Sequence, residues 1–582
     1  MKSRQSSLTI GLVLILSLGL LLAACGGSQA NNGSPEVSQP SPGGTPSSSA
    51  PQAPATVPDA SGESSNDLAA AQEITIALSQ ELNSIDPIVA VDSNSSSAQN
   101  NIYEGLYRLD AQARPIPAGA KALPEISADG LTYTIQLNEN ARWSNGAALT
   151  ADDYIYAWSR AIAADNAAEN QQFFTYVKNA DKIISGELDI SELGVRKIDD
   201  YTLEIAMEKP ATYFTSVLVS TPFFPLSPGY VESQGAAFGS DSDHAIYNGP
   251  FILTEFSGPG IGADWVYVKN DTYWDKDNVI LEKINIKVVK ETGTAVNLFS
   301  VGEVDQIGIA GEYAQNEINN PAFVSANAST LAFLGYNHTS ELFKNKDARE
   351  AISLLIDRGA VATNLLGDGS AAATGITPYN LQAHPVTGED FARTLGDYVY
   401  TDVERAKELW ERARGDLGIT TVALDIISFD SDRMKTVGAY LQGLLEENLT
   451  GVSVNLNITP VSVFMENAKK QDFSLYLVTW GPDFSDATSL LELFESASGN
   501  NWGLYSNPDY DAALRAANNE LAIDAVGRWD KLQEAERIIL TDFGVSPIFF
   551  QSTALLRNVK LKDIIYHTTY PIYDYKSAYL VN

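Results

Sequence analysis

The sequence predicts a mixed α/β protein. Short runs in which apolar and polar residues alternate, the period of a half-buried strand, are interleaved with longer runs in which apolar residues recur every three or four positions, the period of a helix. No string repeats at a fixed spacing, which argues against a solenoid or propeller.

In chain order, Ile74, Ile76 and Leu78 alternate with polar residues, so order is expected to begin at Glu73. Further strand patterns are Tyr133, Ile135 and Leu137; Leu203, Ile205 and Met207; Ile284, Ile286 and Val288; Val452 through Ile458; and Phe473 to Thr479. Thr150, followed by Ala151-Asp152-Asp153, predicts an N-cap for a helix to about residue 164, with the acidic pair at the positive end of its dipole. Thr401-Asp402-Val403-Glu404 reads as a capping box for a helix with Val403, Ala406, Leu409, Trp410 and Ala413 on one face, closed by Gly415. Trp529, Leu532, Ala535, Ile538 and Ile539 predict a last helix, and Pro547 to Phe550 a strand after it. These stripes read as core rather than site.

Ahead of the folded part, Lys2 and Arg4 precede an uncharged apolar run from Leu8 to Ala24, the two regions of an export signal and short of the roughly 20 residues of a membrane span. The run ends Leu22-Ala23-Ala24-Cys25-Gly26 and resembles a bacterial lipobox, which implies that Cys25 is diacylated and becomes the new amino terminus. Residues 26–72 hold seven prolines, much Gly and Ser, and no Lys or Arg. Such a segment cannot bury enough apolar surface to fold and is expected to be a disordered tether.

Composition narrows the function. The 582 residues carry 38 Lys and Arg against 73 Asp and Glu, a net charge of −35, so the surface repels nucleic acid. With one cysteine and four scattered histidines there is no intramolecular disulfide, no cysteine zinc site and no HExxH pair, and neither GxSxG nor a Walker loop occurs. Binding is favoured over catalysis, with no cofactor or metal expected.

Several strings then arrive in one order. They are Leu82-Asn83-Ser84-Ile85-Asp86-Pro87; Tyr103-Glu104-Gly105-Leu106-Tyr107; Arg142-Trp143-Ser144-Asn145-Gly146 with Leu149 to Tyr154; and Tyr247-Asn248-Gly249-Pro250-Phe251. Gly302-Glu303-Val304-Asp305, Lys346 to Arg358, Trp480-Gly481-Pro482-Asp483-Phe484-Ser485-Asp486 and Tyr505 to Asp511 follow. Together, from Ile74 to Ser577, they resemble the oligopeptide-binding and dipeptide-binding proteins of ABC transporters. The resemblance implies a periplasmic-binding-protein-like clamp of two lobes. Lobe I would comprise residues 73–103, 226–330 and 552–582, with a subdomain inserted at 104–225, and lobe II residues 331–551. Peptide would lie between the lobes as an added strand.

The resemblance assigns Asp483 to the ligand's free α-amino group, and main-chain contacts to Thr479, Trp480 and Gly481. From the facing lobe it points to Val91, Asp92 and Ser93, although a solvated Ser-rich turn accounts for that stretch equally well. Phe484 stands where the family has Tyr, and Ala487 where it has Pro. No basic residue directly precedes Trp480, so Arg433 is the candidate for the ligand carboxylate. The family also includes binders of nickel, haem and sugars; the scattered histidines speak against nickel.

The resulting expectation is a monomeric, non-enzymatic receptor, held to the membrane through Cys25, that hands peptide to the permease and ATPase subunits of an importer. Two alternatives stay open. One is a pheromone-sensing lipoprotein, the other an exported hydrolase using Asp483 with Asp486, or Asp152 with Asp153, although adjacent residues at one helix start cannot face each other across a substrate.

Overall fold

Alternation became strand wherever it was expected, and the pairing of those strands decides the architecture. The computed structural model describes residues 68–582 apart from 90–91, 164–169, 262–263, 568 and 570; the leader, Cys25, nearly all of the expected tether and Val91 lie outside the described residues. Leu68 already bridges Val581, so the described chain is held ahead of the expected start at Glu73.

Among the described residues, eleven strands form one sheet: β1 (Glu73–Leu78), β2 (Phe251–Thr254), β3 (Trp265–Lys269), β4 (Lys283–Val288), β5 (Gln306–Ile309), β6 (Phe323–Tyr336), β7 (Ala371–Ala372), β8 (Val422–Phe429), β9 (Val452–Thr459), β10 (Leu475–Trp480) and β11 (Val545–Arg557). Their order is β9-β8-β10-β6-β11-β5-β1-β4-β3-β2, with β7 pairing β11. The two longest strands, β6 and β11, are antiparallel neighbours at the middle of the sheet.

Their register shifts at two places, a wide break near the middle and a single extra residue on β11, Ile548, between the pairs Ala332–Phe549 and Phe333–Pro547. Phe323–Ala326 pair with Leu556–Thr553, and pairing resumes at Thr330 opposite Gln551, so residues 327–329 stand against Ser552 alone. Extra residues on one strand unpair the ladder and bend it. Ser552 offsets part of the loss through its hydroxyl, which donates to the Ala326 carbonyl at 2.5 Å and meets Ser325 Oγ at 2.7 Å. On one side of the break β11 pairs with β5, and on the other β6 pairs with β10.

The apolar cores divide at the same place. One buried cluster gathers residues from 74–286 and 561–578, and a small one joins β1, β5 and the end of β11. Two others draw on residues 331–550. Phe484 is the one buried residue from 331–550 that joins the first cluster.

A second, four-stranded sheet combines Glu125–Ile126, Thr132–Gln136, Thr202–Ala206 and Val195–Asp199. The helices that matter below are α1 (Ser93–Ile102), α2 (Ala151–Ile162), α3 (Val403–Leu417), α4 (Asp432–Asn448) and α5 (Ala525–Thr541). Helix α2 is capped as expected, the Thr150 N–H donating to Asp153 at 2.7 Å. The cap of α3 is Asp402 rather than Thr401: its carboxylate accepts from the Arg405 N–H at 2.9 Å, while the Thr401 hydroxyl turns back to the Ile356 carbonyl. That helix runs through Gly415 and ends at Gly418, which takes the left-handed conformation at φ 66°.

Close approach fixes Gly335 on β6. Its cross-strand partner is Tyr476 on β10, and a Cβ there would overlap the buried Tyr476 ring. Gly335→Ala is expected to cost about 1 to 3 kcal/mol through overpacking. Gly308→Ala on β5, where a Cβ meets nothing within 4 Å, should be neutral or stabilising by up to about 1 kcal/mol. Thermal melts of both variants decide; equal midpoints would mean that the ring moves aside freely.

Candidate functional site

Strand β10 is apolar and buried from Leu475 to Val478 because it lies between β8 and β6. At its end the burial relaxes, and Thr479 and Trp480 are half-buried. Strands β8 and β10 run parallel, so the segments after Phe429 and after Trp480 emerge at the same edge of the sheet. A crevice outside the carboxyl ends of parallel strands is where open α/β sheets hold their ligands.

The loop Gly481 to Asp486 is pinned at its far end. Asp486 and Arg528 of α5 are both buried and form a bidentate pair, each carboxylate oxygen accepting at 2.7 Å. Asp486 also accepts from the Thr488 N–H at 3.0 Å. Nearer the strand, the Asp483 N–H donates to Ser489 Oγ at 2.7 Å. The backbone is therefore tied on both sides of Phe484, and the direction in which Asp483 projects follows from it.

Asp483 projects into a cavity of about 120 Å³ shared with Ser96 of α1, Phe173, Ser220 to Pro222 and Pro571. Water reaches the side chain, yet the surrounding walls push its carboxyl up to about 6. No hydrogen bond or ion pair among the described residues engages this carboxylate. It is an acid held in a partly desolvated cleft without a cation.

The other expected residues fall along one strip. Thr479 and Trp480 pair with Ala332 and Leu331 of β6, and the ladder with β8 stops at Leu477, leaving the opposite edge of residues 478–480 without a strand partner. The Trp480 ring meets that of Trp502 edge-on at 5.9 Å. Gly481 and Pro482 border a cavity with Thr330, Gln551 and Thr553, the residues flanking the register break. Gln551 and Thr553 also line a larger cavity of about 300 Å³ that reaches Asn94, Tyr573 and Arg433. Arg433, near the start of α4, donates to the buried Asp368 at 2.5 and 3.1 Å. Two of its five N–H donors are thereby engaged.

Asp92 and Ser93 begin α1. The Asp92 carboxylate caps the helix, accepting from the Ser95 N–H at 2.9 Å and from the Asn83 amide at 3.1 Å. The stretch that resembled a solvated turn is thus a buried polar helix, with Ser95, Ser96, Ser97, Gln99, Asn100 and Asn101 all inside. Its side chains satisfy backbone elsewhere: Asn101 bonds both Tyr573 O, at 3.1 Å, and Tyr575 N, at 2.9 Å. Helix α1 thereby positions the carboxyl-terminal segment that brings Pro571 to Asp483. Ser96, Ser220 to Pro222 and Pro571 were missed in the sequence. The signal that could have found Ser96 is a ten-residue run too polar for an ordinary core helix.

The carboxylate pairs considered for hydrolysis are engaged otherwise. Asp486 is taken by Arg528, Asp152 pairs with Lys197 at 2.5 Å, and Asp153 accepts from Trp143 Nε1 at 3.2 Å. Among the described residues no His, Asp and Glu cluster of metal-binding type occurs, and no helix is long and apolar enough to cross a membrane.

Known proteins share this arrangement. Residues 114–502 match the family of bacterial extracellular solute-binding proteins, family 5. The chain is 30% identical to the dipeptide-binding protein of Lactococcus lactis subsp. cremoris, over 88% of this chain and 94% of that one. OppA of Listeria monocytogenes, solved with bound peptide, superposes with a TM-score of 0.69 at 35% identity, covering 88% of this chain and 99% of that chain. The pheromone receptor PrgZ gives a TM-score of 0.70 at 36% identity, with 88% and 99% covered. The sheet, the crevice at its carboxyl edge and these matches agree: the chain belongs to the bacterial extracellular solute-binding proteins of family 5.

Proposed function

We propose that the protein is a receptor that closes on a peptide and delivers it to the permease and ATPase subunits of an ABC importer, with no chemistry of its own. One observation carries the reading: Asp483 presents an unpartnered carboxylate in a cleft whose other wall comes from α1 and the carboxyl-terminal segment. An α-ammonium is the complementary group, and a charge-assisted bond in a partly desolvated site is stronger than one in water. Arg433, at the far end of the strip, would take the peptide carboxylate, and the free edge of residues 478–480 would pair with its backbone.

In this reading residues 73–103, 226–330 and 552–582 form one lobe carrying the 104–225 subdomain, and residues 331–551 form the other. The register break between β6 and β11 is then the hinge. Likeness to PrgZ gives a specific reason to retain a second role, sensing a peptide signal without uptake. Both roles place the receptor outside the cytoplasm, anchored through a lipid on Cys25.

Asp483→Asn keeps size and removes charge. It should weaken binding of a free-amino peptide, chosen by capture from a mixed tetrapeptide library, by about 2 kcal/mol, a factor of about 30. N-acetylation should weaken binding to the wild type but add little to the mutant. A calorimetric cycle over both proteins and both peptides checks this, and an equal acetylation penalty on the two proteins would move the amino end elsewhere. Because the cavity walls raise the folded-state pKa from 3.8 to about 6, ionisation opposes folding increasingly across that interval and fully above it, so the empty mutant should melt no lower than the empty wild type at pH 7.

The same raised carboxyl sets the pH dependence of binding. An ammonium partner needs Asp483 ionised, so affinity should be full above about pH 6 and fall as pH drops through it, by about tenfold between pH 7 and pH 5. Titrations at those two values test the sign, and Asp483→Asn should flatten the profile.

Cys25→Ser should abolish lipid attachment, since a hydroxyl cannot supply the thioether. Fatty-acid labelling followed by membrane fractionation reads the outcome, and unchanged label on the variant would defeat the anchor.

A further inference from the structure

An aromatic stack lies beside the proposed amino-terminal anchor, between segments that border two cavities. Phe484, the residue after Asp483, stacks on Tyr213 with ring centroids 5.2 Å apart and planes 6° apart. Both rings are buried. The contact ties the loop after β10 to the segment between the four-stranded sheet and β2, and it is what brings Phe484 into the first apolar cluster. Arg528, already locked to Asp486, sits 4.6 Å from the centroid of the Tyr213 ring, so the stack is backed by a buried ion pair rather than by mobile side chains.

Different cavities adjoin the two segments that the stack joins. Asp483 and Ser220 to Pro222 line the smaller one. Ser485, next to Phe484, and Ser216, three residues after Tyr213, line another of about 620 Å³ together with Gln382 and Arg114. Along the loop, Phe484 is the residue at which one lining gives way to the other. Gln382 also accepts from the Ala487 N–H at 2.9 Å, so the second cavity is built against the same fixed loop.

We infer that the Tyr213–Phe484 stack is the steric stop that sets where a bound peptide begins, and that Phe484 is a specificity-determining residue. Asp483 supplies attraction for the first α-ammonium, while the stack denies space to anything attached to that nitrogen. The inference deepens the peptide-receptor reading and rests on it. A small residue at 484 would join the cleft to the cavity behind, and blocked amino termini would then be admitted.

Charge and shape can be measured apart with two blocking groups on one library-selected tetrapeptide: acetyl, which removes the charge, and biotinyl-β-alanyl, which removes the charge and adds bulk. On the purified full chain, the bulky block should cost wild type at least tenfold more than acetyl. In Phe484→Ala the two blocked peptides should bind within threefold of each other, with the acetyl penalty retained. Tyr213→Ala, which opens the same stop from the other side, should behave alike, and Phe484→Tyr should restore the wild-type difference. Circular dichroism and free-peptide binding establish that each variant is folded. An equal cost for both blocks in wild type, or a bulky-block penalty that survives in folded Phe484→Ala and Tyr213→Ala, would overturn the stop. Free and acetylated peptide binding wild type equally would instead defeat the amino-end reading itself, so the two failures are distinguishable.

Discussion

The hydrogen-bonded ladder between β6 and β11 is the constraint on which the rest depends. These strands continue through both parts of the sheet: Ala554 and Leu556 of β11 join the small cluster with β1 and β5, and both strands supply the two clusters of residues 331–550. A continuous ladder would make one stiff sheet. The unpaired residues 327–329 weaken it, and the Ser552 hydroxyl gives the Ala326 carbonyl beside them a partner. Gln551, Thr553 and Thr330 therefore serve twice, as the joint between the parts and as the floor of the cleft. In the proposed clamp, bending at this joint would change the floor and so couple occupancy of the cleft to the angle between its walls without any separate relay.

Within the loop after β10, two carboxylates three residues apart meet opposite fates. Asp486 is withdrawn from water and must be matched, and Arg528 matches it on both oxygens. Breaking such a pair costs several kcal/mol because a lone charge is left buried. That strength holds the loop still enough for Asp483 to remain where no cation among the described residues reaches it. The excess of acidic residues adds a diffuse attraction for positively charged ligand groups, weak at physiological salt beyond about 8 Å. Discrimination falls to the local geometry instead.

What could be read in the sequence was local. Period-two alternation located β1, β4, β9 and β10 because each has one face or both in a core, and Thr150 with Asp153 located the start of α2 because a cap is a short-range bond. The cap of α3 slipped by one residue because Thr401 and Asp402 are both good caps, and the choice was made by the distant Ile356 carbonyl that engages Thr401. Helix α1 was obscured by its own polarity: its Ser and Asn side chains bond a segment more than 470 residues away, which no local pattern reports. Asp483 could be put forward from the sequence because its motif surrounds it. Ser96 and Pro571, which line the same cavity, and Tyr213, which stacks on Phe484, could not, since they come from three other places in the chain.

The raised Asp483 carboxyl also bears on how affinity is divided between folding and binding. An ion that starts in water must shed its hydration when a ligand arrives, and this cost is subtracted from whatever bond replaces it. Here the walls of the cavity around Asp483 raise its carboxyl to about 6 in the empty protein, although water still reaches the side chain. The penalty is thus set against the stability of the fold, which a large core can bear, rather than against each binding event. An ammonium entering the cleft meets an acceptor that is oriented by the Ser489 and Arg528 contacts and is short of partners. If the proposed contacts fix the ends of the ligand in this way, the residues between need only main-chain pairing and room, and a receptor built on those terms would select for a free amino end more strongly than for any side chain.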